Sequence, residues 1–187
     1  MKKAIVNGEE IAAEAVSFEL ERLVKLYASH GMPKEEVSKM MPKLEERALE
    51  QAIGAKLLLD RAEKLDMPVS EDDLRAEMGK LASQLGGEAA LEKAIAAQGV
   101  SMEDFRRKIA RGVKVNKLVE QACASAEEPS DGDVSAFFEA HRANDPGKEL
   151  AQVEREIKDF LRHASRSRAM EVFVEELREG AKVEYRG

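Results

Sequence analysis

Few residues in this chain have the types and spacing that chemistry requires. The histidines are His30, His141 and His163. None stands in a His-x-x-x-His or His-Glu-x-x-His pair, the spacing that sets two imidazoles on one helix face for zinc. His30 before Gly31, and His141, read as residues that close helices, where an imidazole meets the last carbonyls and the negative end of the dipole. Cys123 is the single cysteine, so no intramolecular disulfide and no Cys-x-x-Cys pair can form. No Gly-x-Ser-x-Gly, P-loop or Gly-x-Gly-x-x-Gly occurs, and serine nucleophiles and nucleotide phosphates lack their local anchors. Carboxylate pairs such as Glu45-Glu46 and Asp72-Asp73 stand among 37 acidic residues, a background on which a pair is solvated surface or a cap. The basic run Arg162-His163-Ala164-Ser165-Arg166-Ser167-Arg168 falls, on a helix, beside Glu154, Glu156, Asp159 and Glu171, close enough for intrahelical ion pairs. No enzyme active site, cofactor or metal is expected.

The methionines point elsewhere. Met32, Met40 and Met41 cluster around a Pro-interrupted amphipathic segment, and Met78 and Met102 lie near other helix starts or faces. Flexible, polarisable thioethers suit surfaces that accept varied apolar partners, although they also fill ordinary cores. The expectation is therefore a binding protein.

Composition agrees. Of the 187 residues 36% are charged and 4% aromatic, Trp is absent, and the formal net charge is -7. Ala, Leu, Glu, Lys and Arg dominate, all strong helix formers. The negative balance argues against a nucleic-acid binder, which needs a basic surface to displace counterions from phosphates. No apolar run approaches the roughly 20 residues of a membrane span. Two lysines follow Met1 but no apolar stretch follows them. The chain is expected to be periplasmic or otherwise extracytoplasmic if a signal peptide has been removed, and cytoplasmic if Met1 is native.

The elements that would position a binding surface can be read from periodicity and punctuation. Ala4 to Val6 is β-prone and ends at the turn signal Asn7-Gly8. A helix is expected from about Glu9 to Ser29, with Val16, Leu20, Leu23, Val24 and Tyr27 on one face. Gly31 ends it, and Pro33 suits the first turn of the next. That second stretch runs to Leu65, with Val37, Met40, Met41, Leu44 and Ala48 on one stripe and a kink or break at Pro42. Residues 48 to 62 are apolar on several faces and read as the central packing helix.

Ser70, Ser101 and Ser130 each precede an acidic residue three positions on (Asp73, Asp104, Asp133), a capping-box pattern with Asp in place of Glu. Helices follow each, carrying Leu74, Met78, Leu81 and Leu85, then Phe105, Ile109, Val113 and Leu118, then Val134, Phe137 and Phe138. A shorter one from Glu88 to Gln98 lies between the first two. After the breaker Ala143-Asn144-Asp145-Pro146-Gly147, a helix of roughly 45 to 50 Å runs from about Lys148 to Glu179. Its apolar stripe begins with Val153, Ile157, Phe160 and Leu161. Ala181 to Tyr185 reads as a terminal strand, most simply paired with Ala4 to Val6 so that the chain closes on itself. The fold class is mainly α, with a small two-stranded pairing of the chain ends.

In that order the elements resemble a known family. The segments that carry the likeness are Val6-Asn7-Gly8-Glu9-Glu10-Ile11, Ala48 to Leu59 followed by Ala62 to Leu74, Gly99-Val100-Ser101-Met102-Glu103-Asp104-Phe105-Arg106, Pro129 to His141, and Phe173 to Tyr185. Together they resemble the chaperone module of the SurA, PrsA and PpiD group of extracytoplasmic folding factors. The resemblance implies a helical core over 1–142, a short linker over 143–147, and a returning helix and strand over 148–187. A parvulin-type prolyl isomerase domain commonly follows the Phe-Phe-Glu-Ala-His-like segment in that family. Here only Arg142 to about Glu149 intervene, so isomerase activity is not expected.

What the resemblance implies is an ATP-independent chaperone that holds unfolded polypeptide clients in an apolar cradle between helices. The expected client-facing residues are Tyr27, Met32, Met40, Met41, Leu44, Met78, Leu81 and Leu85, which would otherwise serve as core or dimer contacts. The alternative is a structural homodimer or assembly scaffold in which the C-terminal helix is exchanged across the linker.

Overall fold

The computed structural model describes residues 3–142, 147 and 149–186. Its elements are β1 (Lys3–Val6), β2 (Glu9–Glu10), α1 (Ala13–Ser29), α2 (Lys34–Lys64), α3 (Glu71–Leu85), α4 (Glu88–Ala97), α5 (Met102–Ala122), a 3-10 turn (Cys123–Ser125), α6 (Asp131–His141), α7 (Leu150–Glu179) and β3 (Val183–Arg186). The chain divides into two compact units, one of residues 1–118 and 176–187, the other of residues 119–175. The linker expected over 143–147 lies outside the described residues except for Gly147.

The first unit is organised by the pairing of the chain ends. β1 lies in the middle of an antiparallel sheet of order β2-β1-β3, with Val6 opposite Val183 and Ala4 opposite Tyr185. Pairing of the two ends is as the sequence suggests; the additional strand is β2. Asn7 and Gly8 take φ of 52° and 90°, the left-handed pair of a tight hairpin turn, and this sets Glu9 opposite Val6. Glu9 and Glu10, expected to open the first helix, are thereby drawn into the sheet, and α1 starts at Ala13.

α1 and α2 pack side by side, and α2 lies against β1. Ala4, Val6, Ile11, Val16, Leu23, Val37, Leu44, Ala48, Leu49, Ala52, Ile53 and Leu57 form one buried cluster, with Leu177 and Val183 against it. The segment 48–62 is the packing helix that its pattern suggests, because Ala48, Leu49, Ala52, Ile53, Leu57, Leu58 and Ala62 are all buried. Pro42 does not break α2, which is helical from Lys34 to Lys64. Pro42 cannot donate to the Ser38 carbonyl, but the buried stripe on either side, Val37 and Leu44, belongs to one cluster. Continuous packing outweighs the lost bond.

Ser70 and Ser130 form complete capping boxes with Asp73 and Asp133. Ser101 Oγ accepts from the Asp104 amide at 3.0 Å and donates to its carboxylate at 2.6 Å. Residues 119–175 carry their own core of Val134, Phe138 and Ile157, flanked by Phe137, Leu150, Val153 and Leu161.

Candidate binding surfaces

Most side chains with chemical potential are engaged structurally. His30 Nδ1 donates to the Leu26 carbonyl at 2.8 Å, and His141 Nδ1 to that of Phe137 at 2.8 Å. Cys123 is buried, its Sγ 3.6 Å from the Arg166 carbonyl. Arg162 pairs with Asp159 at 2.7 Å and Glu128 at 2.9 Å. Among the described residues, no group of three or more His, Cys, Asp and Glu could hold a metal ion, and no helix is long and apolar enough to cross a membrane.

The residues expected to meet a client fall in two places within the first unit. Tyr27, Met32, Met40 and Met41 are partly buried along the margin of the α1–α2 core. Leu44, on the same stripe, is 2% exposed and belongs to the core itself. The others lie on α3. Leu81 packs on the small cluster Ala82, Leu91 and Ile95, Leu85 is 51% exposed, and Met78 lines a groove.

That groove, of about 370 Å³, runs between α3, α4 and α5. Met78, Gly79, Ala82, Leu91 and Met102 give it an apolar lining, and Glu71, Arg75, Glu88, Glu92 and Arg106 supply charge around it. Gly79 sits mid-helix in α3, where a glycine costs about 1 kcal/mol relative to alanine, and a Cβ added there would meet no atom within 4 Å. The bare backbone leaves the groove wall open at this position. Met102 and Gly79 were not among the residues expected to face a client. Met102 stands out in the sequence only by its type and its place near a helix start, and glycine within a helical pattern is the available sign of the other.

Charge holds the third wall in place. α5 contributes Arg106 to Glu71 at 2.7 Å, Arg111 to Glu63 at 3.4 Å, Lys114 to Asp66 at 3.4 Å and Lys117 to Asp73 at 2.6 Å. Lys117 also donates to the Pro68 carbonyl at 3.0 Å, so α5 is tied across the end of α2 and the start of α3. Single exposed pairs contribute little, but these share one seam. The Lys117 hydrogen bond, then the Ser70 amide and hydroxyl, hold the Asp73 carboxyl at about 2, below its usual 3.8.

A depressed carboxyl stabilises the fold above its unfolded pKa and loses that contribution as pH falls through the folded value. The stability gap between the natural chain and Lys117→Met should therefore be constant above about 3.8 and close toward pH 2. Thermal unfolding across that range checks it; a gap unchanged at pH 2 would refute the assignment.

Comparison with known proteins bears on the same region. The SurA-like N-terminal domain family matches residues 2–119, a span that ends one residue past Leu118, where the first stretch of the first compact unit ends. A solved structure from work describing the virulence factor PEB4 and the periplasmic protein Cj1289 as SurA-like chaperones of Campylobacter jejuni matches with a TM-score of 0.56. At 14% identity, with 98% of each chain covered, that likeness is one of fold. No curated protein matches. With well over half of its length matched by the family, the chain belongs to the SurA-like N-terminal domain proteins.

Proposed function

We propose that this chain is an ATP-independent chaperone that holds unfolded or partly folded polypeptides and has no prolyl isomerase activity. The observation that carries the reading is the α3–α4–α5 groove, apolar at its centre and charged around it, in a chain of the SurA-like N-terminal family. Apolar side chains of an unfolded segment leave water on a floor of flexible methionines, while the charges keep the complex soluble. Met78 lies in that floor, Leu81 packs on the cluster behind it, and Leu85 adds an exposed apolar side chain at the end of α3. Tyr27, Met32, Met40 and Met41 offer a second apolar margin over Leu44. Family membership and the likeness to a fold that includes a periplasmic protein favour an extracytoplasmic setting.

Gly79→Gln tests the groove without harming the fold. The new side chain occupies open space and should stabilise α3 by about 0.5–1 kcal/mol. The natural chain, without ATP, should suppress aggregation of a chemically unfolded substrate at near-stoichiometric ratios. Gly79→Gln should lose most of that suppression with its melting temperature unchanged or raised. Full suppression by the variant would move the site off this groove, and none by the natural chain at large excess would remove the chaperone reading.

A further inference from the structure

A second depression, of about 530 Å³, lies between α1 and α2 and differs in chemistry from the first. Arg22, Lys25 and Arg47 line it and, among the described residues, no carboxylate does, although the chain as a whole has a net charge of -7. The cations are partly committed. Arg22 meets Glu19, a side chain only 13% exposed, at 2.8 Å, and Lys25 meets the exposed Glu21 at 3.8 Å. Arg47 reaches the Tyr27 hydroxyl at 3.4 Å. A guanidinium has five donors, so these contacts leave capacity for another carboxylate.

Apolar groups flank the charge. Phe18 is 67% exposed and Leu26 50% exposed, large side chains for open surface on a helix that elsewhere buries its apolar face. Phe18, Arg22 and Leu26 follow one another at intervals of four residues along α1, about 6 Å apart at 1.5 Å per residue. Side chains on one face of an extended strand recur about every 6.6 Å. An extended segment laid along α1 would therefore present its residues i, i+2 and i+4 to Phe18, Arg22 and Leu26 in near register.

From this charge and spacing we infer that the α1–α2 depression is a docking site for extended client segments carrying an acidic side chain between two apolar ones. The inference rests on the chaperone reading and names a class of client for it. Segments of that pattern set their carboxylate among Arg22, Lys25 and Arg47 and their apolar groups on Phe18 and Leu26. The acidic side chain contributes charge-assisted hydrogen bonds, and the apolar pair removes area from water.

The test uses dye-labelled peptides with an acetylated N-terminus and an amidated C-terminus, built on Leu-Ser-Glu-Ser-Phe. Glu is replaced by Gln or by Lys, so the only variable carboxylate is the side chain. Fluorescence anisotropy with the full chain should rank Glu over Gln by about tenfold, the size of one partly exposed charge-assisted contact, with Lys weakest. Added salt should narrow the gap. Arg22→Glu with Arg47→Glu should invert the order, and Gly79→Gln should leave it intact. Lys25→Glu alone should reduce the preference, which guards against misfolding of the double variant. Equal affinities for the peptides, or an order that survives the charge reversals, would overturn the inference. Aggregation suppression with no charge order would sink this site and leave the chaperone reading standing. A charge order without suppression would keep the site and remove the chaperone.

Discussion

Removing residues 181–187 should unfold the first compact unit instead of trimming its end. β3 supplies all four partners of β1 on one side, while β2 supplies two on the other. Without β3, β1 is left in a two-stranded hairpin, which is marginal in water. Ala4 and Val6, fully buried in the complete fold, lose the cover of Ala181 and Val183. The polar contacts at the closure go with them. Asn7 donates its amide to the Lys182 carbonyl at 2.8 Å and accepts from the Lys182 amide at 3.1 Å. Tyr185 donates to Glu50 at 2.8 Å and accepts from Arg178. Re-exposing Val6 costs about 2 kcal/mol, and the lost ladder bonds add roughly 0.5–1.5 kcal/mol each.

The expected loss is thus on the order of 4 kcal/mol or more, a large share of the 5–15 kcal/mol typical of a folded domain. Urea unfolding of a chain ended at Gly180 should show a much lower midpoint or no cooperative transition. Val183→Asp in the full chain should move in the same direction, because it sets a charge opposite Val6 in the core. An unchanged midpoint in both would mean that the sheet is an ornament on a self-sufficient α1–α2 pair.

The closure was legible in the sequence because its signals are local: each chain end is β-prone on its own residues, and Asn7-Gly8 marks where the first strand stops. The serine caps at 70, 101 and 130 were legible for the same reason, each needing only a partner three residues away. β2 was not, since Glu9 and Glu10 carry no strand propensity and pair only because the turn returns them to β1. Pro42 misled in the same way, its local cost being offset by packing on both sides that no window around it contains. The grooves are further still from the sequence. Their walls join residues tens of positions apart, as Glu71 and Arg106 do, and the α5 cations look like solvated surface until their partners on α2 and α3 are known. Leu44 and Leu85 are alike in type and both lie on apolar stripes, yet one is 2% and the other 51% exposed. Periodicity assigns a face and is silent on what covers it.

Leu44 turns that distinction into a measurement. It stands on the stripe with Met40 and Met41, and its side chain is among the largest fully enclosed ones in the first unit. Leu44→Ala should cost about 3–5 kcal/mol, the transfer of the lost methyl groups plus the cavity left among the α1 and α2 side chains. In a chain of this size that corresponds to a fall of roughly 10 °C in melting temperature. Met40→Ser and Met41→Ser, on half-buried margins, should each cost less than half as much. Any effect of Leu44→Ala on client holding would then follow the unfolded fraction and vanish on cooling, where the variant is fully folded. Loss of holding in Met40→Ser or Met41→Ser would persist at every temperature, because it removes contact area and leaves the fold in place. Should Leu44→Ala melt with the natural chain and still fail to hold a client, Leu44 would be a contact residue, and the α1–α2 core would have to open when a client binds.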